Sequence, residues 1–201
     1  MFYDAVKRDH GLKHDPVKAL IAPRPIGWIG SKSKSGVLNL APYSFFNAFS
    51  THPTIVGFAS EGYKDSIANI EETGAFSCSL ATWDLRDQMN ESSAPTDSGI
   101  SEFELAGLTP VDCEMVDAPR VKESPVALEC RYLKTVNFDP VDGVEVTAST
   151  VFGAVVGIHI DDSLIEDGMV DITRAQPLAR LGYRDYCVVR ELFQMTRPGG
   201  N

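Results

Sequence analysis

The chain has 201 residues, of which 43% are hydrophobic and 23% charged, and its formal net charge is -10. That length suits one domain with a sizeable core, and the composition is ordinary for a soluble globular protein. The acidity argues against nucleic acid or an anionic membrane as the main partner, because both require a basic footprint. The N-terminal MFYDAVKRDHGLKHDP is too polar for a signal peptide, and no apolar run approaches a membrane span. No repeat or low-complexity linker interrupts the chain, so we expect a single domain over residues 1–201, in the cytoplasm.

Short β-type runs dominate. IGWIGS, the turn-like KSKSG and VLNLAPYS together predict a hairpin. Residues 45–53 then read as a crossing at a sheet edge before the next strand, TIVGFAS. DSIANIEETG predicts a helix with Asp65 and Ser66 as capping residues and Gly74 as its stop. AFSCSLA follows as a strand, then DLRDQMNESS as a short helix capped by Asp84, and SEFELAGL as a turn or two stopped by Gly107. VALECRYLKTVNF, STVFGAVVGIHID and, least clearly, YCVVREL complete the strands. Many closely spaced strands with few helices point to a barrel or sandwich, and neither a Rossmann nor a Walker A signature is present.

The four cysteines, Cys78, Cys113, Cys130 and Cys187, form no CxxC pair, and no Cys/His cluster has metal-ligand spacing. Cys78 and Cys130 sit in apolar alternating runs and read as buried small hydrophobes. Free thiols accord with a reducing compartment.

Four stretches offer chemistry. In SEGYKDSIANI a strand end meets a helix start, where free backbone N–H groups and the helix dipole attract an anion. Lys64 adds a charge there, and Ser60 and Ser66 add hydroxyls, although a normally capped helix beside a solvated lysine explains the same residues. In APRPIGWIGS, Pro23 and Pro25 hold Arg24 in extended backbone, presenting its guanidinium to a fixed anion, a ring edge or a surface carboxylate. NLAPYSFFNAFSTHPTIVGFA threads Ser44, Asn47, Ser50 and Thr51 between aromatics, the mix of apolar wall and directed polar groups found in ligand pockets, or in a turn whose hydroxyls cap local backbone. His159 ends the apolar run FGAVVGIHIDD, as a catalytic candidate or as a structural histidine. His10, His14 and His52 carry less information, and no GxSxG elbow is present.

In order and spacing, APRPIGWIGS, NLAPYSFFNAFSTHPTIVGF, KDSIANIEETGAF, QMNESSA, EFELAGLTP, SPVALECR, FGAVVGIHID and PLARLG resemble the flavin reductase-like family, which includes flavoredoxin. The resemblance runs from about Leu20 to Arg180. It implies a mainly β fold, a six-stranded Greek-key split β-barrel with a few short helices, dimerising, with FMN held noncovalently near the subunit interface. It makes Lys64 and Ser66 phosphate ligands with Asp65 at the cap, and sets Arg24, Ser44, Phe45, Asn47 and Ser60 around the flavin ring and ribityl chain. It further implies that Asn90 and Ser93 belong to a loop closing over the cofactor, that His159 approaches a nicotinamide, and that Arg180 lies near the neighbouring site. YRDYC departs from the ending common in relatives, which leaves the C-terminal contacts open. The implied activity is NAD(P)H:flavin oxidoreduction, with electrons passed to free flavin, oxygen or a partner protein. Alternatives are a flavoredoxin-like FMN electron carrier, a barrel kept for binding without FMN, and a pyridoxamine-phosphate-oxidase-like barrel.

Overall fold

The computed structural model describes residues 1–97 and 99–199. Seven strands build one antiparallel sheet: β1 (Gly27–Lys32), β2 (Leu38–Tyr43), β3 (Phe46–Thr51), β4 (Thr54–Glu61), β5 (Ala75–Leu80), β6 (Val126–Asn137) and β7 (Ala148–Ile160). Their order across the sheet is β2-β1-β5-β6-β7-β4-β3. The two edge strands, β2 and β3, are consecutive in the chain and are joined only by Ser44 and Phe45. So short a link reaches only about 10 Å. The sheet must therefore curl until its edges meet, and at the seam the Ala59 N–H donates to the Phe45 carbonyl at 2.8 Å. This is a mainly β split barrel with few helices.

The sheet has one strand more than the six expected. Residues 46–51 were expected to be a crossing, but they form β3, paired with β4 through Phe46–Phe58 and Asn47–Gly57. Polar residues recur in β3 because it is a largely exposed edge strand, and the crossing itself shrinks to Ser44 and Phe45.

Inside the barrel, Ile29, Val56, Phe58, Ile67, Phe76 and Val151 are buried together. A second cluster, around Trp28, Leu40, Met89, Phe103 and Leu178, covers the other face of β1 and β2. Both faces of β1 are therefore buried, which is why IGWIGS reads as a continuous apolar run instead of alternating. The four cysteines are free, and Cys78 and Cys130 are buried in the core, as expected. Burial pushes the Cys78 thiol up to about 12.

Four helices matter for the site: α1 (Val17–Leu20), α2 (Asp65–Thr73), α3 (Arg86–Glu91) and α4 (Glu102–Leu105). Helix α2 packs Ile67 and Ile70 into the barrel and ends at Gly74, whose φ of 76° is the left-handed stop predicted for it. Its N-cap residue is Lys64, which offers no capping oxygen, so the cap expected at Asp65 and Ser66 is shifted by one residue. Leu85 likewise stands at the N-cap of α3 in place of the expected Asp84. A small three-stranded ribbon, Arg24–Pro25, Leu178–Arg180 and Tyr186–Val188, brings the C-terminal part of the chain beside Arg24. No helix among the described residues is long and apolar enough to cross a membrane.

Candidate functional site

The loop after β4 delivers Lys64 to the start of α2 in extended backbone, φ -117° and ψ 170°. Ser66 follows, buried, its hydroxyl accepting a 2.9 Å hydrogen bond from the Asn39 side chain of β2. Beneath it the buried Tyr43 hydroxyl lies within reach of the Ser66 and Ser60 hydroxyls. Burial raises the Tyr43 pKa, and those two hydroxyls oppose the rise, so this phenol stays protonated at neutral pH.

A cavity of about 400 Å³ opens here between Lys64, Asp65 and Ser66 on one side and Ser93, Pro95 and Thr96 on the other. One carboxylate in it, Glu102, is committed elsewhere: it accepts from the Leu40 N–H at 2.9 Å and from the Thr96 hydroxyl at 3.1 Å. Those bonds tie the loop after α3 to strand β2.

The second cavity, of about 500 Å³, shares Pro42 and Ser93 with the first. Arg24, Ser44, Asn90 and Arg180 line it, together with Met89 and Tyr183. The MNESS segment that walls both is not the loop expected throughout but the end of α3, with Asn90 in the helix and Ser93 in the turn after it. It is fixed from below, because the Trp28 indole N–H donates to Ser92 at 2.8 Å and Ser92 donates to the Met89 carbonyl. A third hollow, of about 330 Å³, adjoins at Arg24 and Ser44 and reaches Phe45 and Asn47. Asn47 is exposed and turns its side-chain oxygen to the Ala48 N–H.

The structure thus brings Arg24, Ser44, Phe45, Asn47, Lys64, Asp65, Ser66, Asn90, Ser93 and Arg180 around adjoining cavities. Two expected residues are placed differently. Ser60 is buried, donates to the Gly62 carbonyl at 3.0 Å and lines none of these cavities. His159, near the end of β7, lines none of them either; its Nε2 lies 2.5 Å from Glu129 Oε1.

Arg24 differs from the expectation in kind. Its guanidinium is buried and donates to three backbone carbonyls, Lys18 and Ile21 at the end of α1 and Leu181 at 2.8 Å. Its Nε has no partner among the described residues. Arg24 therefore clasps the N-terminal helix and the C-terminal ribbon together while facing the cavity. The sequence reading missed Asn39, Tyr43, Lys18, Tyr183, Arg184 and Tyr186 as lining residues. Tyr43 could have been singled out as the one phenol in an apolar strand end; the YRDY loop carries no periodicity to read.

The sequence profile described as the flavin reductase like domain matches residues 20–179. An uncharacterized protein of Halalkalibacterium halodurans is 36% identical over 89% of this chain and 87% of its own length. Another, from Aquifex aeolicus, is 33% identical over 85% and 86%. Among solved structures, nitrilotriacetate monooxygenase component B from Bacillus cereus superposes with a TM-score of 0.87 at 28% identity, covering 97% of this chain and 98% of that one. The 2-nitrobenzoate 2-nitroreductase of Pseudomonas fluorescens gives 0.86 at 27% identity, covering 99% and 97%.

Proposed function

The chain belongs to the flavin reductase-like family, and from that premise we propose that it is an FMN-dependent oxidoreductase that takes hydride from NAD(P)H. The observation that carries this reading is the pair of polar cavities joined at Pro42 and Ser93, with an anion-attracting helix start at one end. Together they have the size of a cofactor pocket. The residues fit the group: Lys64, the Ser66 hydroxyl and the start of the nine-residue α2 suit a phosphate monoester. Ser44, Asn90 and Ser93 offer hydrogen-bonding groups to a polyhydroxy chain and a flat heterocycle, with Pro42 and Met89 as apolar wall.

Bound flavin would supply the hydride-accepting chemistry. The chain's own part is to bind, orient and exclude water, and to aim donors where negative charge develops on reduction. Hydride transfer needs no side-chain acid or base, so a site without a catalytic cluster is adequate. His159 takes no step in this reading, since Glu129 holds its imidazole outside the lining of these cavities. That two similar structures bear the names of a monooxygenase component and a nitroreductase supports a redox role, with electrons going onward to flavin or a partner. We also propose a homodimer, because an apolar hollow of about 530 Å³ between Phe49, Leu133, Val136, Phe138 and Phe152 lies open on the barrel. Four free thiols support a cytoplasmic setting.

The test is direct. Purified protein mixed with FMN should hold it through gel filtration, and anaerobic NADH or NADPH should bleach the bound flavin within seconds. Failure to bind FMN sinks the reading; FMN binding without bleaching by either nucleotide leaves an electron carrier in its place.

A further inference from the structure

Four cations converge on one cavity of an otherwise acidic protein. Lys18, Arg24, Arg180 and Arg184 line the 500 Å³ cavity, and no Asp or Glu does so among the described residues, although the chain carries a net charge of -10. None of the four makes an ion pair among the described residues. Arg24 and Arg180 are moreover directly paired on adjacent antiparallel strands, a position where like charges repel. Burial, and after it the Arg180 charge, pushes the Arg24 guanidinium below its ordinary value.

The arrangement is built to persist in spite of that repulsion. Arg180 is fixed by hydrogen bonds to the Tyr183 carbonyl at 2.5 Å and to the Tyr186 hydroxyl, and it stacks 4.4 Å from the Tyr186 ring centre. The turn carrying Arg184 is closed by Asp185 N–H donating to Gly182 at 2.9 Å, with Tyr183 at a φ of 56°, in the left-handed region. Within this cluster the buried Arg24 Nε has no hydrogen-bond partner among the described residues. A buried N–H left in that state is unusual and calls for an acceptor.

We propose that the Arg24–Arg180–Arg184 end of the cavity is a second anion subsite, separate from the Lys64 end, that takes a phosphate or carboxylate group of the reactant meeting the flavin. The proposal rests on the FMN reading above: with the FMN phosphate at Lys64, this end faces a different anion. Guanidinium forks match both oxyanions in geometry. A phosphate would come from a nicotinamide dinucleotide, and a carboxylate from an aromatic acid acting as acceptor.

Calorimetric titration of the apoprotein and the FMN-loaded protein with adenosine 2′,5′-bisphosphate and with benzoate separates the two sources. One of the probes should bind, and the preferred one names the source. Arg184→Glu, on an exposed turn, should weaken that binding about tenfold or more while FMN affinity holds; tenfold corresponds to about 1.4 kcal/mol. Lys64→Ala should do the reverse, weakening FMN and sparing the probe. The proposal fails if neither probe binds at about 1 mM, the weak limit of a useful site. It fails equally if Arg184→Glu leaves probe affinity unchanged, or if it releases FMN as Lys64→Ala does, because the cations would then be holding the FMN phosphate. Probe binding by an apoprotein that takes up no FMN would sink the FMN reading and leave the subsite standing.

Discussion

His159 and Glu129 form a close pair on neighbouring strands, the imidazole Nε2 2.5 Å from a carboxylate oxygen of Glu129, which is buried. The same carboxylate accepts the Glu114 N–H at 2.8 Å and the Met115 N–H at 2.6 Å, so it anchors the loop before residue 119 to the barrel. Burial works to raise the Glu129 pKa, but the Glu114 N–H, His159 and the Met115 N–H outweigh it and hold the carboxyl below its ordinary value. A depressed folded-state pKa contributes stability that is present above the unfolded value, about 4.3, and lost as pH falls through the folded one. Melting curves taken against pH should therefore show an acid limb below about pH 4 that flattens in Glu129→Gln. The same variant should lose about 1–3 kcal/mol at neutral pH, the cost of an impaired buried acceptor. An unchanged acid limb would mean that Glu129 does not set it.

His159→Asn separates support from chemistry. If the imidazole only braces Glu129, melting should drop by a few degrees, about 2–4 °C per kcal/mol for a chain of this size. Flavin reduction by NAD(P)H should stay within about twofold, whereas loss of a general acid or base costs on the order of a hundredfold or more. A hundredfold slower reduction at an unchanged melting temperature would restore His159 to the reaction.

Lys64→Ala should weaken FMN by about tenfold, in the range of a charge-assisted hydrogen bond discounted for an exposed lysine. Riboflavin, which has no phosphate, should bind as before. Fluorescence titration of both flavins reads the difference. Equal losses for the two ligands would move the phosphate away from α2.

Most of the barrel was legible because its strands are β-branched runs ended by Gly, Pro and Asp. β3 was not, since an edge strand with most of its residues exposed alternates Ser, Asn and Thr with Phe and mimics a polar crossing. The helix starts were misplaced by a residue because Lys64 and Leu85 stand where a capping oxygen was expected. The Lys64–Ser66 end of the site was readable because it is local: three consecutive residues at a helix start. Arg24 was recognised, but its carbonyl partner Leu181 was not, since it lies 157 residues away and only the tertiary fold brings it near. The pairing of Arg24 with Arg180 is hidden for the same reason.

Gly153 marks a place where packing, not turn geometry, demands glycine. A Cβ there would stand 2.5 Å from two atoms of the Phe76 ring, which is fully buried, and 3.2 Å from Cys130 Cβ. Phe58 meets that ring edge-on with ring centres 5.9 Å apart, which restricts its room to move. Gly153→Ala should cost about 1–3 kcal/mol in denaturant unfolding, as overpacked cores do. Combined with Phe76→Leu, the two losses should add to less than their sum, since they share one contact. Strict additivity would show that the clash relaxes elsewhere.

Phe49, Leu133 and Phe138 are 59%, 48% and 53% exposed, and they ring one hollow whose wall also includes Ile55, Val136 and Phe152, with Lys134 and Thr150 as its polar members. Apolar side chains left open in one patch favour association, and a stable pair needs about 800 Å² from each partner. The hollow forms only part of such an area, and β7 carries a further exposed apolar side chain, Ile158. Leu133→Glu together with Phe138→Asp should convert a dimer to a monomer in light scattering at micromolar concentration. Neither residue packs in the two buried clusters, so the fold should survive the change. A wild-type monomer, or a dimer indifferent to both charges, would remove this face from the assembly.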